Sequence, residues 1–468
     1  MRGEYMKLIC AKNIHKRYGE KTVLKEIDAE IYEGDKIGLV GSNGSGKSTL
    51  AGILARVLEQ DEGTIEFSRK GMKIGYLRQA LSRGEEHAEG DLHSLYELTS
   101  QLGLKKACSW DENKLKHVSG GERLKLELAK VWSSDSDLLI LDEPTNHMDL
   151  EGVQWLMKEI RGFKGAVIII SHDRYLLDHT VSKIFELQDR YLTVFKGNYE
   201  AYKQQKQRLL NYQKQQYDIQ QQQVKKVEQQ ISTLNKWSEK GHRESTKKGT
   251  PSERRQIGYK EYHRAKAKKM DKQIQSKLKR LQQELQERQI IKPIEEDGIT
   301  ICFQDNGKKG KRLIQAEKAE KSFGSQNLFT NSSFYINQGE RVALIGRNGT
   351  GKTTLLNILM EADTLDEGTI WKSEAVETAY LTQDTDDLPL TKTALEILNL
   401  VTKDDYFRAR TVLANLGLDE DSITKPIETL SHGERTRLKL GKMMLNSFDL
   451  LILDEPTNHL DLASREQL

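Results

Sequence analysis

Cysteine is scarce: 468 residues contain three, Cys10, Cys108 and Cys302, scattered and without a C-x-x-C pair. Such a set fits a reducing compartment and argues against zinc and iron–sulfur sites. Long apolar runs are also missing. The longest, such as Leu138–Leu141 and Ala166–Ile170, fall far short of the ~18–20 residues a membrane-crossing helix needs. No uninterrupted apolar stretch follows the early N-terminal charges, so no secretory leader is expected. The length is enough for two or three domains with their own cores.

Charge is present but unevenly placed. Residues 203–292 carry 24 Lys+Arg against 9 Asp+Glu, whereas the remainder carries 49 against 61. The net +3 of the whole chain therefore conceals a basic middle of +15 between acidic flanks of −12. Such segregation points to a polyanionic partner, with a solvated helical linker as the plainer alternative.

The flanks repeat each other. IGLVGSNGSGKSTL (37–50) returns as VALIGRNGTGKTTL (342–355), and LLILDEPTNHMDL (138–150) as LLILDEPTNHLDL (450–462). IGYLRQ (74–79) is echoed by TAYLTQ (378–383), and VSGGERLKLELAK (118–130) by LSHGERTRLKLGK (430–442). Two homologous domains with a foreign insert are expected.

In each copy an apolar strand is expected to lead into a phosphate loop that opens a helix. The first loop is Gly41, Ser42, Asn43, Gly44, Ser45, Gly46, Lys47, Ser48 and Thr49. The second is Gly346, Arg347, Asn348, Gly349, Thr350, Gly351, Lys352, Thr353 and Thr354. Glycines let successive N–H groups face phosphate oxygens, aided by the helix N-terminus. Lys47 and Lys352 are placed to reach the β/γ-phosphates of ATP, and Ser48 and Thr353 to help hold Mg²⁺. A second strand ends in Asp142-Glu143, or Asp454-Glu455. Adjacent residues face opposite ways, so the aspartate can serve the metal while Glu143 or Glu455 acts as general base toward water. A further apolar strand, Ala166–Ile170, runs into Ser171-His172-Asp173, which offers an imidazole to the γ-phosphate or the water.

Phosphate loop, Gln79, SGGE, ILDEP, Asp149 and SHD in this order resemble the ATP-binding cassette superfamily. The resemblance implies two head-to-tail cassettes that sandwich two ATP molecules within one monomer. Site one would join the first phosphate loop, Gln79, Asp142, Glu143 and His172 with Ser431, Gly433 and Glu434. Site two would join the second loop, Gln383, Asp454 and Glu455 with Ser119, Gly120, Gly121 and Glu122. Gln79 and Gln383 would complete the Mg²⁺ surroundings with Ser48, Asp142, Thr353 and Asp454, partly through water. Tyr18 and Phe323 match the aromatic that stacks on adenine. The pattern departs in two places: His432 stands where a second signature glycine is usual, and no last strand or switch histidine follows the second ILDEP. The latter leads to the expectation of an exposed, unpaired sheet edge and of a longer parent chain.

The expected architecture is thus α/β. It has a first cassette over 1–196, a helical hairpin over 197–296 with its tip at about 245–259, and a C-terminally truncated second cassette over 297–468. Twin cassettes with an extended helical linker, NHMDL/NHLDL after ILDEP, and FKGNYEAY (195–202) resemble the ABC-F group. That resemblance implies a cytoplasmic protein acting on the 70S ribosome. Only 39 residues separate Gln79 from Ser119, which matches the antibiotic-resistance branch of the group. There the linker enters through the E site, against 23S rRNA, and its tip approaches the P-site tRNA and peptidyl-transferase centre. A housekeeping translation factor is the nearest alternative. The ATPase subunit of a drug exporter would leave the basic arm unexplained, and a DNA-repair ATPase would carry its coiled coil inside a cassette.

Within the insert, Leu210, Tyr217, Val224, Val227, Ile231 and Leu234 form a coiled-coil seam, answered by Met270, Ile274, Leu278, Leu281 and Leu285. Gly249-Thr250-Pro251 and Gly258 break the helices at the tip. Arg254, Arg255, Ile257 and Tyr259 are the candidates nearest the drug site. Lys260, Arg264, Lys266, Lys268 and Lys269 are the candidates for gripping RNA or tRNA, since basic side chains release counterions from phosphates and aromatics stack on bases.

Overall fold

The computed structural model describes residues 6–78, 120–133, 135–146, 148–246, 265, 268–269, 271–280, 283, 304–305, 312–324, 326–374, 376–382, 388–398, 400 and 402–456. The first cassette begins with β1 (Lys7–Tyr18) and β2 (Lys21–Tyr32), followed by β3 (Lys36–Val40), α1 (Lys47–Leu54), β4 (Glu62–Phe67) and β5 (Ile74–Leu77). Next come α2 (Gly120–Trp132), β6 (Leu138–Asp142), α3 (Leu150–Gly162), β7 (Ala166–Ile170), α4 (Arg174–Thr180), β8 (Lys183–Gln188) and β9 (Tyr191–Lys196). β2, β1 and β4 make an antiparallel sheet. The second sheet runs β5-β6-β7-β3-β8-β9 and is parallel except for β9.

Alternation explains why this sheet is covered on both faces. Leu138 and Ile140 of β6 and Ala166, Ile168 and Ile170 of β7 pack into one core, while Leu139, Leu141, Val167 and Ile169 pack into the other. Such continuous apolar strands are typical of parallel sheets buried on both sides. Each fully buried Leu, Ile or Val contributes about 1.5–3 kcal/mol. The payoff for function is positional: β6, β7 and β3 are neighbours, so their carboxyl ends converge where open α/β sheets bind ligands.

The second cassette comprises β10 (Gln304–Asp305), β11 (Arg312–Phe323), β12 (Gln326–Asn337), α6 (Lys352–Leu359), β13 (Glu367–Lys372) and β14 (Thr378–Leu381). α7 (Lys403–Asn415), α8 (Glu420–Thr424), α9 (His432–Leu445), β15 (Ser447–Phe448) and β16 (Leu450–Leu453) follow. The backbone repeats the first copy in detail. Asn13, Glu26 and Arg56, with φ of 51°, 51° and 61°, return as Lys318, Asn331 and Glu361 with 48°, 47° and 61°. Left-handed non-glycine residues are uncommon, so three matched ones are a fingerprint of duplication.

One expectation fails. The strand that was to lead into Gly346 does not form: residues 341–347 have no strand pairing, and Val342 and Ile345 are 67% and 83% exposed. In the first cassette β3 is held between β7 and β8. Among the described residues the second copy offers 342–345 no such neighbours, and a strand without partners leaves its N–H and C=O groups unpaired.

Lys203–Glu296 is a separate unit from Met1–Tyr202 with Asp297–Leu468. Helix α5, Tyr199–Thr246, is 48 residues long, which corresponds to about 70 Å. Its expected seam residues Leu210, Tyr217 and Val224 are half-buried, whereas the off-seam Leu209, Tyr212 and Ile219 are exposed. On the return arm Ile274 is buried and Lys268 and Lys269 are exposed. Arg254, Arg255, Ile257, Tyr259, Lys260, Arg264 and Lys266 lie outside the described residues. Among the described residues no helix is long and apolar enough to cross a membrane.

Candidate functional site

The phosphate loops have the backbone their glycines predict. Gly44 and Gly46 have φ of 77° and 103°, and Gly349 and Gly351 of 77° and 90°. Gly46 and Gly351 are the N-caps of α1 and α6, and a Cβ on Gly46 would meet Val23 Cγ1 at 2.6 Å. Lys47 Nζ donates to the carbonyl oxygens of Gly41 and Ser42, both at 2.9 Å. Lys352 Nζ does the same to Gly346 and Arg347, both at 2.8 Å. Each ammonium is thereby clamped to its own loop, beside a helix N-terminus suited to anions.

At the end of β6, Asp142 and Glu143 are both buried, as is His172 beyond β7. Glu143 has φ 51° and Glu455 φ 47°, a conformation that holds a non-glycine residue at roughly 1–3 kcal/mol of strain. The Glu143 N–H donates to the Ile170 carbonyl at 2.8 Å, which ties the turn to β7. This left-handed turn, added to strand alternation, is what parts the two carboxylates. Glu143 Oε1 lies 3.4 Å from His172 Nε2, and Oε2 accepts from the His172 N–H at 3.5 Å. The expected base and imidazole are therefore brought together. Asp173 instead caps α4, accepting from the Leu176 N–H at 3.1 Å.

Burial pushes the Asp142 carboxyl up, against a hydrogen bond with Ser48 and the charge of Lys47. Its Oδ2 is buried without a hydrogen-bond partner. A carboxylate with a spare buried oxygen beside a serine hydroxyl is a donor set suited to a hard divalent cation. The sequence reading missed Tyr76 and Tyr380, which stand three residues before Gln79 and Gln383. Burial, then the neighbouring Asp142, pushes the Tyr76 phenol up to about 12. Tyr380 is pushed up to about 12 by burial and by Asp454, to which its hydroxyl donates at 3.5 Å. Their identical place in IGYLRQ and TAYLTQ was the available signal. Gln79 and Gln383 lie outside the described residues, as does Ser119.

Ser431 and Glu434 have a second role that the sequence reading overlooked. Ser431 is the N-cap of α9, and the two form a capping box. Glu434 Oε2 accepts from the Ser431 N–H at 2.7 Å and from its hydroxyl at 2.6 Å. The S-x-x-E spacing is the capping-box signature itself. Gly433 sits in the first turn of α9, as Gly120, Gly121 and Glu122 sit in the first turn of α2. At the expected adenine positions Tyr18 and Phe323 are exposed, with Lys16 and Lys321 at 5.8 and 5.4 Å from the ring centroids.

The two copies touch through α3. Asp149, its N-cap, accepts from the Gly152 N–H at 3.0 Å and from the Asn348 N–H of the second phosphate loop at 3.5 Å. Burial works upward on Asp149, yet these N–H groups and Lys125 hold its carboxyl below the ordinary value. Glu151 accepts from Arg347 Nε at 2.9 Å and Nη2 at 2.5 Å. The repeat puts Ser42 and Ala463 in the corresponding places, so the ion pair belongs to one side of the repeat. On the other side, Lys21 adds to the hydrogen bonds from Ser422 that lower Asp419. Both Arg347 and Glu151 are exposed, where a pair contributes about 0–1 kcal/mol. Glu151→Ala should weaken nucleotide binding at the second phosphate loop by up to about fivefold at low salt and less at high salt, read by titration with a fluorescent ATP analogue.

Two phosphate loops, each beside a strand that ends in a carboxylate pair, define a twin-cassette ATPase. A family model described as ABC transporter matches residues 24–146 and 329–458, and a companion model of the same description matches 185–251. The chain is 40% identical over 465 residues to the ribosome protection protein VmlR of Bacillus subtilis (strain 168), covering 98% of this chain and 81% of that one. It is 31% identical to the putative ATP-binding protein YdiF of the same organism, over 99% of this chain and 75% of that one. Identity to the energy-dependent translational throttle protein EttA of Mycobacterium tuberculosis (strain CDC 1551 / Oshkosh) is 27%, over 97% and 84%. The chain belongs to the ABC-F family of ATP-binding cassette proteins and hydrolyses ATP.

Proposed function

We propose that this ATPase is a cytoplasmic monomer that protects the 70S ribosome from drugs at the peptidyl-transferase centre. It would enter through the E site, lay its basic linker against 23S rRNA and bring the tip near the P-site tRNA. The observation that carries this reading is the identity to a ribosome protection protein over 98% of the chain, basic linker included. Lincosamides, streptogramin A and pleuromutilins are the drug classes in view.

In this reading Glu143 accepts a proton from the attacking water while His172, 3.4 Å away, fixes its carboxylate; Glu455 is the base of the second site. Ser48 and Asp142, with Gln79, and Thr353 and Asp454, with Gln383, would hold Mg²⁺, which when bound offsets charge on the phosphates. Lys47 and Lys352 exchange loop carbonyls for phosphate oxygens. The N-terminus of α9, from Ser431 through Gly433 to Glu434, would face the γ-phosphate of site one, and Ser119 with Gly120, Gly121 and Glu122 would serve that of site two. Tyr18 and Phe323 stack on adenine.

The test is expression in a susceptible strain, with growth inhibition measured for all three drug classes. A variant shortened across 250–256 should keep ATPase activity and ribosome binding yet lose protection. Protection that survives this deletion would assign the work to the arm as a whole. A second reading, a housekeeping translation factor, is favoured by the identity to a translational throttle protein over 97% of the chain. Inhibition unchanged for every drug class would select it.

A further inference from the structure

The same row of the two antiparallel sheets carries different side chains. Register places Cys10 of β1 between Glu30 on β2 and Glu66 on β4. The equivalent row in the second cassette is Tyr335, Gln315 and Trp371. In the first copy Glu30 accepts from Lys7 at 2.5 Å and from Tyr32 at 2.7 Å, so that face is internally paired. In the second copy Arg312 and Asn337 occupy the places of Lys7 and Tyr32. The Arg312 guanidinium lies over the Tyr335 ring at 5.1 Å and donates to Gln315 Oε1 at 2.5 Å.

Arg312, Gln315, Tyr335, Asn337 and Trp371 line an open hollow of about 620 Å³. Tyr335 and Trp371 are 58% and 53% exposed, large rings that present their area to solvent. Flat aromatic faces beside a guanidinium plane stack on unpaired bases; the amides are already engaged, Gln315 Nε2 donating to Glu317 at 2.5 Å and Asn337 Nδ2 to Glu340 at 2.9 Å. Tyr335 and Trp371 stand on the two strands that flank β11, so they are separated by about 9.5 Å, twice the interstrand spacing. That gap is far wider than the ~3.4 Å rise of stacked bases. It suits an extended single strand with one base on each ring.

We propose that this face of the second cassette binds two unstacked nucleotides of single-stranded RNA. The choice of RNA rests on the ribosomal reading above; the geometry supplies the demand for splayed, unpaired bases. The first cassette has no aromatic rings in this row, where Glu30, Cys10 and Glu66 stand.

The test uses the full chain and a decauridylate containing 4-thiouridine, irradiated below saturation, with adducts mapped by mass spectrometry. Adducts should appear on peptides containing Tyr335 and Trp371. Trp371→Ala should lower the yield at Tyr335 about tenfold, and Trp371→Phe should largely restore it. Raising salt should weaken adducts from residues 203–292 more steeply than the Trp371 dependence, because stacking releases no counterions. ATP hydrolysis by the variants reports that they are folded.

Four results would overturn the proposal. They are absence of adducts at both peptides, equal yield from a duplex of the same length, displacement by maltohexaose (a sugar site), and loss of a dimer in Trp371→Ala by sedimentation (a self-interface). Ribosome pelleting is scored separately. Ribosome binding without these adducts removes the platform and leaves the ribosomal reading; adducts without ribosome binding do the reverse.

Discussion

Hydrolysis at the first site should fall by about 10²–10⁴-fold in Glu143→Gln, the range supplied by a positioned general base, while ATP still binds and Glu455 keeps the second site active. Gln keeps the length of the side chain and its N–H to Ile170, so the left-handed turn at φ 51° survives without a proton acceptor. Glu143→Gln with Glu455→Gln should therefore trap the protein on 70S particles in an ATP-dependent manner, read by sedimentation through sucrose. His172→Ala should cause a smaller loss of turnover, because the imidazole orients Glu143 in place of taking the proton. Wild-type turnover in Glu143→Gln would remove this residue from the chemistry, and pelleting with membranes in place of ribosomes would remove the proposed partner.

Asp142→Asn should move stability and activity in opposite directions. Burial, working against Ser48 and Lys47, holds the folded-state pKa of Asp142 above its ordinary value. A carboxyl shifted this way binds its proton more tightly in the folded chain. Its stabilising contribution is complete below the ordinary carboxylate pKa of about 3.9 and is lost as pH rises through the raised value. At neutral pH the ionised, half-satisfied group weighs against the fold. Asp142→Asn should thus raise the melting temperature of the nucleotide-free protein by a few degrees at neutral pH, with the gain vanishing at low pH. It should also reduce hydrolysis strongly, since the carboxylate oxygen available to Mg²⁺ is gone. An unchanged or lower melting point at neutral pH would show that Ser48 and Lys47 already compensate the charge.

The features legible in the sequence were those that local chemistry repeats. The glycines of both phosphate loops, the all-apolar β6 and β7, and the carboxylates at the end of β6 occupy their expected places because each is set by its own strand, turn or helix start. The pairing of Glu143 with His172 was reachable, since both follow apolar strands that parallel sheets put side by side. Less legible was whatever depends on distant partners. The turn at Glu143 hangs on a hydrogen bond to Ile170. The hydroxyl of Tyr380 acquires meaning only beside Asp454, 74 residues later. No strand forms at 342–345 although its apolar sequence matches β3, because among the described residues it has no neighbours to pair with. Ser431 and Glu434 carry an additional role for a different reason: one spacing satisfies two rules, and the phosphate-cage rule hid the helix cap.

The single Arg347–Glu151 pair bears on timing. A clasp with two seams of unequal strength parts first at the weaker one. Ser42 and Ala463, in the matching places, carry no charges with which to form such a pair. A difference of at most about 1 kcal/mol skews opening rates by no more than about fivefold. If the two cassettes close on ATP as proposed, that is enough to give their parting a preferred order, so that a duplicated molecule acquires a direction in time.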